Sequence, residues 1–209
     1  MAAIDPAENG LTRIGKAERT RLRLVDAVRA EIQSEGSFSA QSVAERTESS
    51  PATFYNHFPS KSDAILAAFD AVMVDLVSFV GRTLDVARAL EMGLADFLAD
   101  WTWQSAEFFH DNSVVFAAAR SQMPGSPEFR TVYRTREAEA LVHYVRFVRL
   151  AQRAGIARDG DPQALAEVLM LVSEGWNHPL VLRMTRGDAF HVELARSVQA
   201  MLAPETESK

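Results

Sequence analysis

The sequence predicts an all-α chain built from a small N-terminal helical domain and a larger C-terminal one. Three observations predict it. Apolar residues recur at spacings of three and four through nearly every segment. Start and stop signals delimit those runs: Ser or Asp just before, Pro at the first helical position, Gly just after. No segment combines β-branched alternation with the turn pairs of a hairpin. The 209 residues are enough for two unequal cores.

Residues 1–15 contain Pro6, Gly10 and Gly15 without sustained periodicity and read as a flexible arm. From Lys16 a first helix places Leu24, Val25, Val28 and Ile32 on one stripe, runs to about Ser34 and stops near Gly36. Ser39 caps a brief second helix through Ala40, Val43, Ala44 and Arg46, which the polar run Thr47-Glu48-Ser49 ends. Ser50-Pro51 starts a third, because serine accepts from an orphan amide while proline sits where no donor is needed; it reaches about His57, and Phe58-Pro59 closes it. Ser60 and Asp63, three apart, open a fourth helix whose stripe from Ile65 and Leu66 continues to about Leu90. The divisions are therefore 1–15, 16–61 and 62–209.

Beyond residue 90 the period stays helical. A stripe through Leu94, Phe97, Leu98, Trp101, Ser105 and Phe108 breaks at His110-Asp111-Asn112, and a short segment covers Ser113 to Gln122. Met123-Pro124-Gly125-Ser126-Pro127 is a loop; a long helix follows from Glu128 to Ala154, and another starts after Asp161-Pro162. Pro179 is expected to kink that helix, and a last one spans about Asp188 to Leu202. Its Phe190, Leu194 and Val198, with His191, Ala195 and Leu202 beside them, make a broad apolar face suited to a second subunit or to internal packing.

Composition narrows the function. The absence of cysteine excludes disulfides, thiolate metal sites and thiol nucleophiles. No apolar run in the sequence is read as crossing a bilayer and no secretory signal is read at the start, so a cytoplasmic protein without membrane partners is expected. The net charge of -6 looks adverse to nucleic acid until it is divided along the chain. Residues 1–61 hold eight basic and eight acidic side chains, so the whole deficit falls later. Between Arg13 and Arg29, six basic residues face only Glu18 and Asp26. Phosphate affinity depends on such a local basic face, although a solvated helix surface would carry the same run.

Two short helices around a tight turn, propped by a longer first helix, are the parts of a helix-turn-helix, whose second helix enters the major groove of DNA N-terminus first. The segment Ser50-Pro51-Ala52-Thr53-Phe54-Tyr55-Asn56-His57-Phe58-Pro59-Ser60-Lys61-Ser62-Asp63 resembles the recognition helix and following turn of the TetR family of repressors, sharing the pattern Thr-x-Tyr-x-His-Phe-x-x-Lys. Detailed likeness covers about residues 20–70; the rest is similar in length and helical pattern. Phe54 and Phe58, four apart, should face inward and leave Thr53, Tyr55, Asn56 and His57 outward. The resemblance implies that Tyr55 and His57 bond phosphates, that Thr53 touches backbone or base, and that Lys61 holds a further phosphate. Pro51, Ala52 and Asn56 are candidates for base edges, and Arg19, Ser39 and Ser50 complete the expected DNA surface. Glu48 and Ser49 stand where the family's turn commonly has Gly and an aliphatic residue; a left-handed conformation without glycine costs about 1 kcal/mol, so the turn either carries that cost or is reshaped.

For the C-terminal part the resemblance implies a ligand cavity and dimerisation through the last two helices. Trp101, Phe108, Phe116, Met123, Tyr144, Phe147, Met170 and Trp176, interleaved with Gln104, His143 and Asn177, are the candidate walls for a small apolar or amphipathic effector. For any one of these aromatics plain core packing is the commoner role, and only the set together points to a pocket. The expected assembly is a homodimer on palindromic operator DNA, released by its effector. A helical carrier without DNA binding is the alternative, with an enzyme behind it. Glu107 and His110 fit one Glu-x-x-His pair, yet di-iron bundles need a second copy, and no His-Glu-x-x-His, phosphate loop or nucleophile elbow occurs. No catalytic residue, metal or cofactor is therefore assigned.

Overall fold

A computed structural model describes residues 15–204; the N-terminal arm expected over 1–15 lies almost entirely outside them. Ten α-helices follow one another, with no strand among the described residues. The chain divides into two compact units, one up to Ala64 and one from Ile65 onward.

The first unit contains α1 (Lys16–Glu35), α2 (Ala40–Arg46), α3 (Pro51–His57) and the first turn of α4 (Lys61–Thr83). Leu24, Val25, Val28 and Ile32 of α1 are buried, as are Val43 and Ala44 of α2 and Phe54 of α3. The helix borders follow local chemistry. Gly36 ends α1 at a φ of 71°, which glycine adopts without the clash of a Cβ. Ser39 and Ser42 form a reciprocal capping box on α2, each side chain bonding the other's backbone N–H. Ser60 and Asp63 do the same at the start of α4, at 2.9 and 3.2 Å.

The second unit continues α4 and adds α5 (Val86–Met92), α6 (Leu94–Asp111), α7 (Ser113–Gln122), α8 (Pro127–Arg153), α9 (Pro162–Glu174) and α10 (Ala189–Leu202). Helix α8 lies against α9, and α6 against α5 and α10. The core carries ring stacks between Phe97 and Phe147 (5.5 Å between centroids) and between Phe79 and Phe108 (5.1 Å). Arg136 of α8 ties α4 down, donating from Nε to Asp70 at 2.8 Å and from a terminal nitrogen to Glu139. These carboxylates push the guanidinium pKa still further up.

Four expectations need correction. The fourth helix does not reach Leu90: it stops at Thr83, whose hydroxyl donates to the Phe79 carbonyl at 2.8 Å, and Asp85 caps a separate α5 by accepting from the Ala87 N–H. Pro179 does not kink a continuous helix, because α9 already ends at Glu174 and gives way to two short 3₁₀ turns, Gly175–Asn177 and Val181–Arg183. The apolar face of the last helix is divided: His191, Ala195, Val198 and Leu202 are buried and α10 packs on α6, while Phe190 stays exposed. Finally, α4 is long and apolar enough to cross a membrane by length and composition, contrary to the reading of the bare sequence; Phe69, Val72, Met73 and Val80 on it are buried in the unit.

Candidate nucleic-acid interface and cavity

Helices α2 and α3 are joined by a four-residue turn, Thr47–Ser50. Glu48 takes a φ of 52°, the one left-handed residue other than glycine among those described. Around it the Ser49 N–H bonds the Ala44 carbonyl at 2.9 Å and the Glu48 N–H bonds that of Glu45 at 3.2 Å, the pattern of a Schellman stop. The Thr47 hydroxyl donates back to Val43 at 2.8 Å, and Arg23 of α1 bonds the Thr47 carbonyl at 2.7 Å. The left-handed turn is thus held by its own Thr47 hydroxyl and by Arg23 of α1.

Helix α3 starts at Ser50, whose Oγ accepts the Thr53 N–H at 3.2 Å and lies 3.0 Å from the Thr53 hydroxyl. Pro51 follows at the first helical position. Phe54 is 0% exposed and Phe58 is 2% exposed, with ring centroids 5.4 Å apart, so the helix is anchored from behind. Its other side is open: Tyr55 is 52% exposed, Ala52 and Asn56 are exposed, and Pro51, Thr53 and His57 are half-buried. The Tyr55 ring stands edge-on to Phe54 at 5.3 Å, which fixes its direction.

Cations border this face. Lys61, at the start of α4, holds its Nζ 5.8 Å from the Phe38 ring centre. Arg21 of α1 lies 5.7 Å over Phe58, at the end of α3, and joins the candidate surface although the motif did not single it out. Its membership of the basic run after Arg13 was the available signal. Arg19 is exposed two residues earlier, and Ser39 is exposed but has its hydroxyl engaged in capping α2. Beneath the same unit, Arg46 bonds Glu31 at 2.7 Å and, with Ser42, holds that carboxyl below its ordinary pKa.

The second unit holds a partly open cavity of about 250 Å³. Helix α4 contributes Phe69, Met73, Leu76 and Val80; Phe109 comes from α6, Phe116 and Arg120 from α7, and Met123 from the loop after it. Tyr133, Glu137, Ala140 and Tyr144 of α8, then Met170, Ser173 and Asn177, complete the wall. Of the residues named from sequence, Phe116, Met123, Tyr144, Met170 and Asn177 lie on it. The others lie elsewhere. Trp101 and Trp176 meet edge-on at 6.2 Å in the core, Phe108 stacks on Phe79, and Phe147 stacks on Phe97. Gln104 donates to Asp100 at 2.6 Å, and His143 lies against Gly81, where a Cβ would come within 2.9 Å of the imidazole. Among the described residues no group of His, Asp and Glu is arranged to hold a metal ion.

The cavity's polar end is ordered by two bonds. Ser173 donates its hydroxyl proton to the Met170 carbonyl at 2.7 Å, so the 2.9 Å contact between Ser173 Oγ and Tyr144 Oη must be a donation from tyrosine. Asn177 Oδ1 is buried without a hydrogen-bond partner.

No sequence family and no curated protein matches the chain. Solved structures do. A protein of Mesorhizobium loti MAFF303099 assigned to the TetR family of transcriptional regulators is 15% identical, with a TM-score of 0.69 over 90% of this chain and 95% of its own. A TetR transcription regulator from Haloarcula marismortui ATCC 43049 is 18% identical, with a TM-score of 0.67 over 88% of this chain and 96% of its own. A protein of Saccharomonospora viridis described as a transcriptional regulator and solved in complex with choline is 20% identical, with a TM-score of 0.61 over 88% and 98%. The chain therefore has the fold of the TetR-family transcriptional regulators.

Proposed function

We propose that this protein is a dimeric transcriptional repressor of the cytoplasm that binds a palindromic operator and leaves it when a small effector occupies the cavity of its second unit. Residues 16–61 are the DNA-binding part and residues 62–209 the effector and dimer part. The observation that carries the reading is the polarity of α3: two fully buried phenylalanines behind it, and Ala52, Tyr55 and Asn56 open in front. Such a helix can insert its first turn into a major groove while Tyr55, His57 and Lys61 bond phosphates on either side. Thr53 and Ser50 spend hydroxyl capacity on the cap and contribute mainly by fixing the helix start.

The dimer seam is supported by exposed apolar side chains on α8 and α9. Val142 is 66% exposed and Leu171 60% exposed, with Leu150 and Val168 also open to solvent. Two copies of this pair of helices would cover them as a four-helix bundle. The seam then involves α8 and α9 rather than α10, whose apolar stripe faces α6. Effector binding must favour the arrangement in which the two α3 helices no longer match the groove spacing, since equal affinity for both arrangements would shift nothing. That a regulator of the same fold holds choline supports a cavity used for small molecules.

Gel shift on a duplex selected for binding tests the reading. Tyr55→Phe and Lys61→Ala should each weaken the complex several-fold while leaving the thermal melt unchanged. Unchanged affinity in both variants, or no duplex bound at all, would favour a helical carrier without DNA binding.

A further inference from the structure

We infer that a second cleft of the larger unit, between the end of α4 and the middle of α8, binds a phosphate group, free or on a small metabolite, through Arg82, His143 and Arg146. The cleft holds about 350 Å³ and shares no lining residue with the cavity described above. Charge singles it out. Arg82 and Arg146 are exposed on its lining, and neither is ion-paired or hydrogen-bonded to another described residue. Helix α8 offers them no relief: Arg146, Arg149 and Arg153 follow at spacings of three and four with no Asp or Glu between Ala140 and Arg158, although acidic residues outnumber basic ones after residue 61. Like charges so spaced on a helix repel one another, and a bound anion offsets that cost. Asp85, the one carboxylate on the lining, already spends an oxygen on the Ala87 N–H at 2.8 Å.

The third group is held in place by a glycine. The His143 imidazole lies across Gly81, its Cε1, Nδ1 and Nε2 standing 2.9, 3.1 and 3.2 Å from where a Cβ would be, so a side chain at 81 would displace the ring. Neither ring nitrogen is hydrogen-bonded to another described residue, which leaves an N–H for an oxyanion. Two guanidinium forks and an imidazole N–H suit the several acceptor oxygens of a phosphate better than the two of a carboxylate. The volume also leaves space for the carbon part of an ester, since about 150 Å³ already holds benzene. Arg146 borders the groove along α8 toward α9 as well, which makes a carboxylate from a second copy the competing occupant.

The test is thermal shift and calorimetry on the full-length chain without DNA, with inorganic phosphate, phenyl phosphate and acetate compared against chloride at one ionic strength. The inference predicts that inorganic phosphate raises the melting temperature more than acetate or chloride does. It predicts that Arg82→Gln combined with Arg146→Gln weakens phosphate at least about tenfold, the range for lost hydrogen bonds to a charged group, while Arg153→Gln, outside the cleft, does not. Phenyl phosphate bound as well marks an ester as the ligand, and its exclusion marks free phosphate. Phosphate acting no differently from chloride on the native chain overturns the site, whether or not the variants fold. Loss of phosphate binding in Lys61→Ala with the paired arginine variant unaffected would place the ion on the proposed DNA face and overturn it too. Weakened self-association of the arginine variant, with no phosphate effect on the native chain, would assign both arginines to a second copy. Failure of the regulator reading would appear separately, as absence of duplex binding in gel shift.

Discussion

Arg23 donates a hydrogen bond to the carbonyl oxygen of Thr47 at 2.7 Å, tying α1 to the residue that precedes the left-handed Glu48. The turn between α2 and α3 sets the attitude of α3, so this contact and the strain beside it are open to mutation. Glu48→Gly removes a backbone penalty of about 1 kcal/mol and a negative charge from the edge of the proposed DNA face. It should raise the melting temperature and tighten the duplex complex modestly. Glu48→Val, β-branched at the same φ, should lower the melting temperature instead.

Phe54→Ala should destabilise the first unit by about 3–5 kcal/mol, the usual cost of emptying a fully buried aromatic site. The ring touches Phe38, Tyr55 and Phe58, with centroids 6.0, 5.3 and 5.4 Å away, so several contacts go together. Circular dichroism during denaturant unfolding measures the loss, and duplex binding should disappear with it.

The Glu31–Arg46 pair predicts an acid response. Hydrogen bonds from Arg46 and then Ser42 lower the Glu31 pKa in the folded chain. A lowered folded value means that the stabilisation is complete above the unfolded pKa, about 4.3, and is lost as pH falls through the folded one. Arg46→Ala should therefore cost stability at pH 7 and progressively less below pH of about 4. Denaturant midpoints of the two proteins across that range test it, and a gap that widens in acid would contradict it.

Gly81 and His143 should behave as a coupled pair. Alanine is worth up to about 1 kcal/mol over glycine inside a helix. At position 81, however, the added methyl meets the imidazole at 2.9 Å. Gly81→Ala should thus stabilise a His143→Ala background and do little or harm in the native one, a difference that a double-mutant cycle reads directly.

The first unit was legible because its helix borders are local. Ser39, Ser50 and Ser60 each cap the helix that follows, and the two-phenylalanine anchor is a spacing rule within seven residues. The break at Thr83 was hidden by apolar positions that keep the helical period across it, although Asp85 was a capping signal. The cavity was the least legible part. Phe69, Met73, Leu76 and Val80 read as an ordinary core stripe, and only the placement of α7 and α8 decides that they face a void. Trp101 and Trp176, the largest candidates, fill space against each other because tertiary packing, not residue type, assigns wall and core.

Selection of bound sequences from a pool of random duplexes tests the central claim most directly. Two α3 helices related by a twofold axis predict an inverted repeat whose half-sites are centred about 10–10.5 base pairs apart, or a multiple of that. Recovery should fall when Tyr55→Phe replaces the native chain. A pool that stays random, or one that enriches equally with Tyr55→Phe and Lys61→Ala, would contradict the assignment of α3 as the element that reads DNA.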